Sequence, residues 1–154
     1  MPINQPNISI QPLDLNANVA IGVVFPLMDE GVFKQSLTIK EQVKSNLLMV
    51  LLTEKGERVF MPNFGVGLKK LIFENHIDTE ELKDKINNQV NFYVPEIEIQ
   101  DLLINLDKDE HVLQITLSYV LLNSNELDAI EINVGGSNLA DGIDITTRSA
   151  QGGF

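Results

Sequence analysis

The sequence predicts an α+β fold: two main helices packed on a small antiparallel sheet, with a C-terminal three-stranded meander. Three observations carry this expectation. Two segments ahead of Pro95 repeat apolar residues at helical spacing, and each opens on a capping signal. Beyond Pro95 the apolar period falls to two. Polar turn clusters then divide the remaining chain into runs of strand length.

Residues 1–18, rich in Asn, Pro and Gln and without a clear period, read as an arm. Residues 21–27, IGVVFPL, read as a short strand, with Pro26 marking an edge or a strand end. Residues 28–37 read as a loop. Thr38 then opens a helix, and Glu41, three residues on, completes a capping box. Ile39, Val43, Leu47, Val50 and Leu51 follow at helical spacing. Leu48 and Leu52 widen the stripe, so most of this helix's girth is expected to be covered. Gly56 is expected to end it in the left-handed conformation. Residues 58–61, RVFM, read as a strand, Pro62 and Asn63 as a turn, and residues 68–73 as a turn or two of helix with Leu68, Leu71 and Ile72 inward.

Asp78 is the expected N-cap of the second helix. Glu81 supplies its capping box, and Ile77 is placed to staple onto Leu82. Leu82, Ile86, Val90 and Tyr93 mark the buried side, and Pro95 stops the helix. Ile97 and Ile99 then share one phase of a strand, while Leu102, Ile104 and Leu106 take the other. That slip predicts a bulge near residues 100–102. Residues 107–110 read as a turn. Leu113, Ile115, Leu117, Tyr119 and Leu121 alternate along the next strand, and residues 123–126 turn the chain again. Ile130, Ile132 and Val134 are expected on the last strand, before Gly135 and Gly136. The division is an arm at 1–18, a folded unit at 19–136 and a flexible tail at 137–154.

A chain of 154 residues points to one domain. A domain of this size buries about 68–70% of its unfolded surface. Hydrophobic residues make up 44% and charged residues 21%, a globular balance. The absence of cysteine excludes disulfides, thiolate metal sites and cysteine nucleophiles, and fits a reducing compartment. The first residues lack a signal-peptide pattern, and no segment approaches the ~18 apolar residues of a membrane span. A cytoplasmic location is expected. The formal net charge of −11 opposes both nucleic acid and an anionic membrane surface. Lys69 and Lys70, with Lys55 and Arg58 near them in sequence, make too thin a basic patch to reverse that. A protein partner or a small ligand remains.

Chemistry-bearing motifs are sparse. His76 and His111 sit in no nucleophile motif and make a weak metal set. GVGLKK, residues 65–70, lacks the spacing of a Walker loop and the third small residue of a dinucleotide loop. Gly65 and Gly67 are expected instead to relieve a backbone turn where a side chain would clash. A glycosidase needs only two carboxylates, and a general acid needs one of them in an apolar pocket. Glu57 and Glu74 flank apolar stretches and are the best candidates for a peptidoglycan-cleaving alternative. The absence of Trp, with aromatics at 6%, is poor for stacking sugars. No catalytic residue, metal or cofactor is expected.

Residues 51–74, LLTEKGERVFMPNFGVGLKKLIFE, lie between the two helices. Leu51, Leu52, Thr53, Gly56, Glu57, Arg58, Val59, Pro62, Phe64, Gly65, Gly67, Leu68, Phe73 and Glu74 occupy the hallmark positions of a known family. With the strand-like lead-in at 21–27 and IEIQDLLINL after the second helix, the chain resembles the short inner wedge protein of contractile-tail baseplates over roughly residues 20–135. That family spans phage tails, type VI secretion and extracellular contractile injection systems, and includes the phage wedge subunit historically labelled a baseplate lysozyme. One motif departs, at two of its three positions. The family typically carries Glu-Pro-Arg at the end of the second helix, where it helps bind the larger wedge subunits; here Val94, Pro95 and Glu96 stand there.

The resemblance implies a structural, non-enzymatic role. Such proteins clamp paired larger wedge subunits through a helical bundle and present strands like those of the sheath protein, on which sheath assembly starts. It implies six-fold placement, tail-tube or hub proteins as further neighbours, assembly in the bacterial cytoplasm and residence in the finished baseplate. Nucleic acid and direct membrane contact are not expected. Ile130, Ile132 and Val134, if on an edge strand, are the candidate sheath-docking segment. Arg58 is expected to pair with Glu57, Glu74 or a partner's carboxylate.

Overall fold

The computed structural model describes residues 20–24, 34–71, 74, 77–107, 111–135 and 143–148. The N-terminal arm, residues 25–27 of the first expected strand, the 108–110 turn, Ile72, Phe73, His76 and the rest of the tail lie outside them.

Strand β1 (Gly22–Val23) pairs antiparallel with β2 (Gln35–Ser36). Backbone bonds of 2.8 Å from Ile21 to Ser36 and from Val24 to Lys34 frame the pair. Gln35 and Ser36, expected in a loop, therefore belong to a short ribbon. Helix α1 (Ile39–Leu52) starts as its capping residues direct: the Thr38 hydroxyl accepts from the Glu41 amide at 3.2 Å. The Glu41 carboxylate reaches back to the Leu37 amide at 3.1 Å, one residue earlier than a standard box. Val43, Leu47, Leu48, Val50, Leu51 and Leu52 are all buried, so the wide stripe is filled. Ser45 is buried among them and donates its hydroxyl to the Glu41 carbonyl. The helix ends at Thr53, whose amide bonds to the Met49 carbonyl. Gly56 does have a positive φ, of 92°, but it lies in the loop beyond the helix end and not at its cap.

Helix α2 is the single turn Leu68–Leu71. Helix α3 (Thr79–Tyr93) is capped by Asp78, which accepts from the amides of Glu80 and Glu81. Leu82, Ile86 and Val90 are buried along it, Ile77 and Tyr93 pack against the core, and the helix stops ahead of Pro95. The two long helices pack on each other, α2 on α1, and α3 on the sheet.

The sheet is antiparallel throughout, in the order β3 (Ile97–Asp107), β4 (Val112–Leu121), β5 (Leu127–Gly135), β6 (Ile143–Arg148). The register of β3 on β4 shifts between Ile99 and Asp101, where the change of phase places a bulge. The extra residue returns Leu102 to the core side occupied by Ile97. Strand β4 alternates strictly, with Leu113, Ile115, Leu117, Tyr119 and Leu121 buried.

The three-stranded meander is corrected to four strands. Residues 143–148, expected in a flexible tail, pair with β5 in unbroken register, Ile132 opposite Ile145. Ile145 packs against the core. The segment IDITTR offers two apolar residues at strand period, too few to stand out amid Gly, Ser and Asp. As a result β5 is an inner strand. Ile130, Ile132 and Val134 do not form an edge: their side chains are buried and their strand is paired on both sides.

Candidate assembly interface

The hallmark segment forms the loop between α1 and α2, and nearly every backbone turn in it is tied. The Gly56 amide bonds to the Pro62 carbonyl at 3.0 Å, the Met61 amide to Arg58, and the Phe64 amide to Met61. Glu57 uses a carboxylate oxygen to accept from the Glu54 amide at 2.9 Å. The loop is then fastened to both long helices. The Val66 amide bonds to the Val50 carbonyl of α1 at 2.9 Å. From α3, the Gln89 side chain accepts from the Gly65 amide at 2.8 Å and donates to the Asn63 carbonyl at 3.0 Å. Gln89 carried no sequence signal; a polar residue on the outer helical phase looks like any solvated side chain. Phe64, Val66 and Leu68 plug the loop into the core.

Gly65 and Gly67 do what their spacing predicts. Gly65 has φ 105°, and a β-carbon there would lie 2.2 Å from the Thr53 carbonyl oxygen. Gly67 has φ 75°, with the nearest atom, Cγ of Glu54, at 3.3 Å. Both the left-handed backbone and the close approach of the α1 terminus require glycine at Gly65.

Residues 58–61 do not form the expected strand. They fold through consecutive turns, leaving Val59 85% and Phe60 97% exposed. The β-propensity of Val-Phe is overridden because the Gly56–Pro62 bond curls the backbone back on itself. Arg58 pairs with neither Glu57 nor Glu74 among the described residues. Its guanidinium lies over the Phe64 ring, 3.9 Å from the centroid. Nη1 and Nη2 each lie 4.0 Å from a thioether sulfur, those of Met61 and Met49. Phe64 in turn meets Tyr93 edge to face at 4.7 Å, and Tyr93 meets Phe92 at 4.8 Å. A run of Arg58, Phe64, Tyr93 and Phe92 thus joins the loop to the end of α3.

The proposed carboxylate pair is not seated for acid catalysis. Glu57 and Glu74 are both exposed, and Glu57 is engaged in the turn. Among the described residues no apolar pocket encloses either carboxylate. His111 lies exposed in the β3–β4 turn at φ 53°. Among the described residues no group of His, Cys, Asp and Glu is spaced to hold a metal.

At the end of α3, Val94 is fully buried and Pro95 exposed. Glu96 turns inward: its carbonyl accepts from the Leu122 amide at 2.9 Å, and its Oε2 is buried without a hydrogen-bond partner. Glu96 as a whole is half-buried, with one carboxylate oxygen out of solvent.

A second polar cluster ties α1 to the sheet. Asp128 is completely buried on β5, accepts from the Tyr119 hydroxyl at 3.3 Å, and lies 3.8 and 3.7 Å from the ammonium groups of Lys40 and Lys44. Burial, followed by the adjacent Asp128 charge, pushes the Tyr119 hydroxyl's pKa above the ordinary tyrosine value. Asp128 was legible in principle, since it falls in phase with Ile130, Ile132 and Val134.

The family described as baseplate wedge protein gp25 matches residues 38–126, from the α1 cap through the β4–β5 turn, more than half of the chain. The chain belongs to that family. The baseplate wedge protein gp25 of Enterobacteria phage T4 is 27% identical over 99 residues, covering 62% of this chain and 75% of the phage protein. A chain in the cryo-EM structure of the anti-feeding prophage baseplate, 6-fold symmetrised, matches at a TM-score of 0.50 and 27% identity, over 66% of this chain and 84% of that one. The gp25-family chain is accordingly a structural wedge component of a contractile-tail baseplate. Strands β5 and β6 lie beyond the stretch that matches the family.

Proposed function

We propose that this wedge protein joins larger baseplate subunits and offers the sheath protein a strand platform on which sheath assembly begins. The observation that carries the reading is the outer edge of β6. Strand β6 completes the sheet in regular register and has no strand beyond it among the described residues. An edge of unpaired amides and carbonyls accepts an added strand. The opposite edge, β3, is interrupted by its bulge, a feature that blunts strand addition. The sheath-docking role therefore moves from Ile130, Ile132 and Val134 to β6. The 94–96 segment, packed under the β4–β5 turn, is the point where a larger wedge subunit meets the end of α3. Tail-tube or hub proteins are further neighbours, placement is six-fold, and assembly takes place in the bacterial cytoplasm.

A proline scan across residues 144–147 tests the platform. In an edge strand alternate residues aim their backbone groups outward. Two of the four substitutions should leave the unfolding midpoint nearly unchanged yet stop sheath protein from co-assembling in vitro. The other two should weaken the β5–β6 ladder itself. Sheath growth that is indifferent to all four would reject the platform.

A further inference from the structure

The hallmark loop is tied by hydrogen bonds, yet it displays apolar side chains that its own fold leaves uncovered. Phe60 is 97% exposed, Val59 85%, and Phe92, at the far end of the aromatic run, 76%. The other exposed large hydrophobics outside this loop, such as Leu103 at 59% and Leu122 at 54%, are less exposed than any of these three. The tip is already ordered by its turn bonds and by Gln89, so little ordering entropy would be lost on docking. A strand partner is excluded here, because residues 58–61 curl through turns and offer no ladder. A protruding aromatic instead requires a concave receiver.

Charge narrows the choice further. Among the described residues the ion pairs are made by Lys40, Lys44 and Lys83, and Arg58 joins none of them, although the chain carries a net charge of −11. The half-buried Arg58 guanidinium lies among apolar groups, with Phe64 beneath it and Met61 and Met49 at its nitrogens. Aromatic and Arg anchors set in an apolar surround are the composition of interface hot spots.

We propose that Phe60, with its chain neighbours Val59 and Met61, docks into an apolar pocket on a larger baseplate wedge subunit, and that a carboxylate on the pocket rim pairs with Arg58. This rests on the reading of the chain as a partner of larger wedge subunits, and it names the surface and the chemistry of one such contact. It is separate from the β6 edge.

The test co-expresses the full chain with the larger wedge subunits encoded alongside it and measures capture. Phe60→Ser should leave the thermal midpoint of the isolated protein unchanged and lower capture by more than tenfold. Arg58→Met, which keeps an apolar stem, should lower capture and flatten its dependence on salt. Leu103→Ser, on β3, should leave capture intact. Wild-type capture that Phe60→Ser does not alter would overturn the docking surface while the joining role stands. Failure of the wild type to be captured at all would overturn the joining role, and this contact with it. Sedimentation showing a wild-type dimer that Phe60→Ser dissolves would make a second copy the occupant and overturn the assignment to a larger subunit.

Discussion

Gly65 and Gly67 separate two reasons for a glycine in one motif. At Gly65 a β-carbon would meet a backbone carbonyl at 2.2 Å, an atom that moves only if the end of α1 moves. At Gly67 the nearest atom belongs to the Glu54 side chain, which has room to shift. Gly65→Ala should therefore cost about 2–4 kcal/mol, and Gly67→Ala about 1–2 kcal/mol from left-handed strain alone. Urea midpoints of the two variants check the order, and equal losses would show that the carbonyl contact is relieved cheaply. The need for glycine was legible because a Gly-x-Gly step after a proline turn has few other uses. The fate of Arg58 was not. Its ring, Phe64, and its sulfurs, Met49 and Met61, are spread over several turns of chain, and only the folded loop gathers them.

At the scale of elements, local pattern located both long helices, their N-caps and the β3 bulge, because each depends on residues within a few positions of one another; the C-terminal end of α1 falls at Thr53, short of the expected Gly56. Strand β6 escaped because its place is set by a partner, β5, and not by its own pattern. The supposed strand at 58–61 failed for the converse reason: a local preference for extension met no edge to pair with. Tyr119 and Asp128 give the α1–sheet contact a dependence on pH. With the folded hydroxyl's pKa raised, its contribution is complete below the unfolded value near pH 10 and is lost as pH rises toward the folded value. Wild-type stability should fall by up to about 1.4 kcal/mol per pH unit above pH 10, and Tyr119→Phe should remove most of that slope. Denaturant titrations at pH 9, 10 and 11 measure it. An unchanged slope in the variant would overturn the assignment to Tyr119.

Across the whole molecule, 22 acidic residues against 11 basic ones leave a field of one sign. Such a chain repels itself, and added salt should raise its unfolding midpoint. A melt at 20 mM against one at 500 mM sodium chloride checks this; a lower midpoint at high salt would mean that ion pairs such as Lys40 and Lys44 with Asp128 outweigh the repulsion. The overall class followed from composition and periodicity. The exposed apolar tip at Val59 and Phe60 did not, since exposure is a property of the finished fold.

The Gln89 clamp carries a mechanical consequence. Its one amide grips both Asn63 and Gly65 from α3, while Val66 is held by α1. A load on the loop is thereby shared between both helices rather than carried by one. In a particle built to contract, a strut of this kind hands motion onward where a hinge would dissipate it.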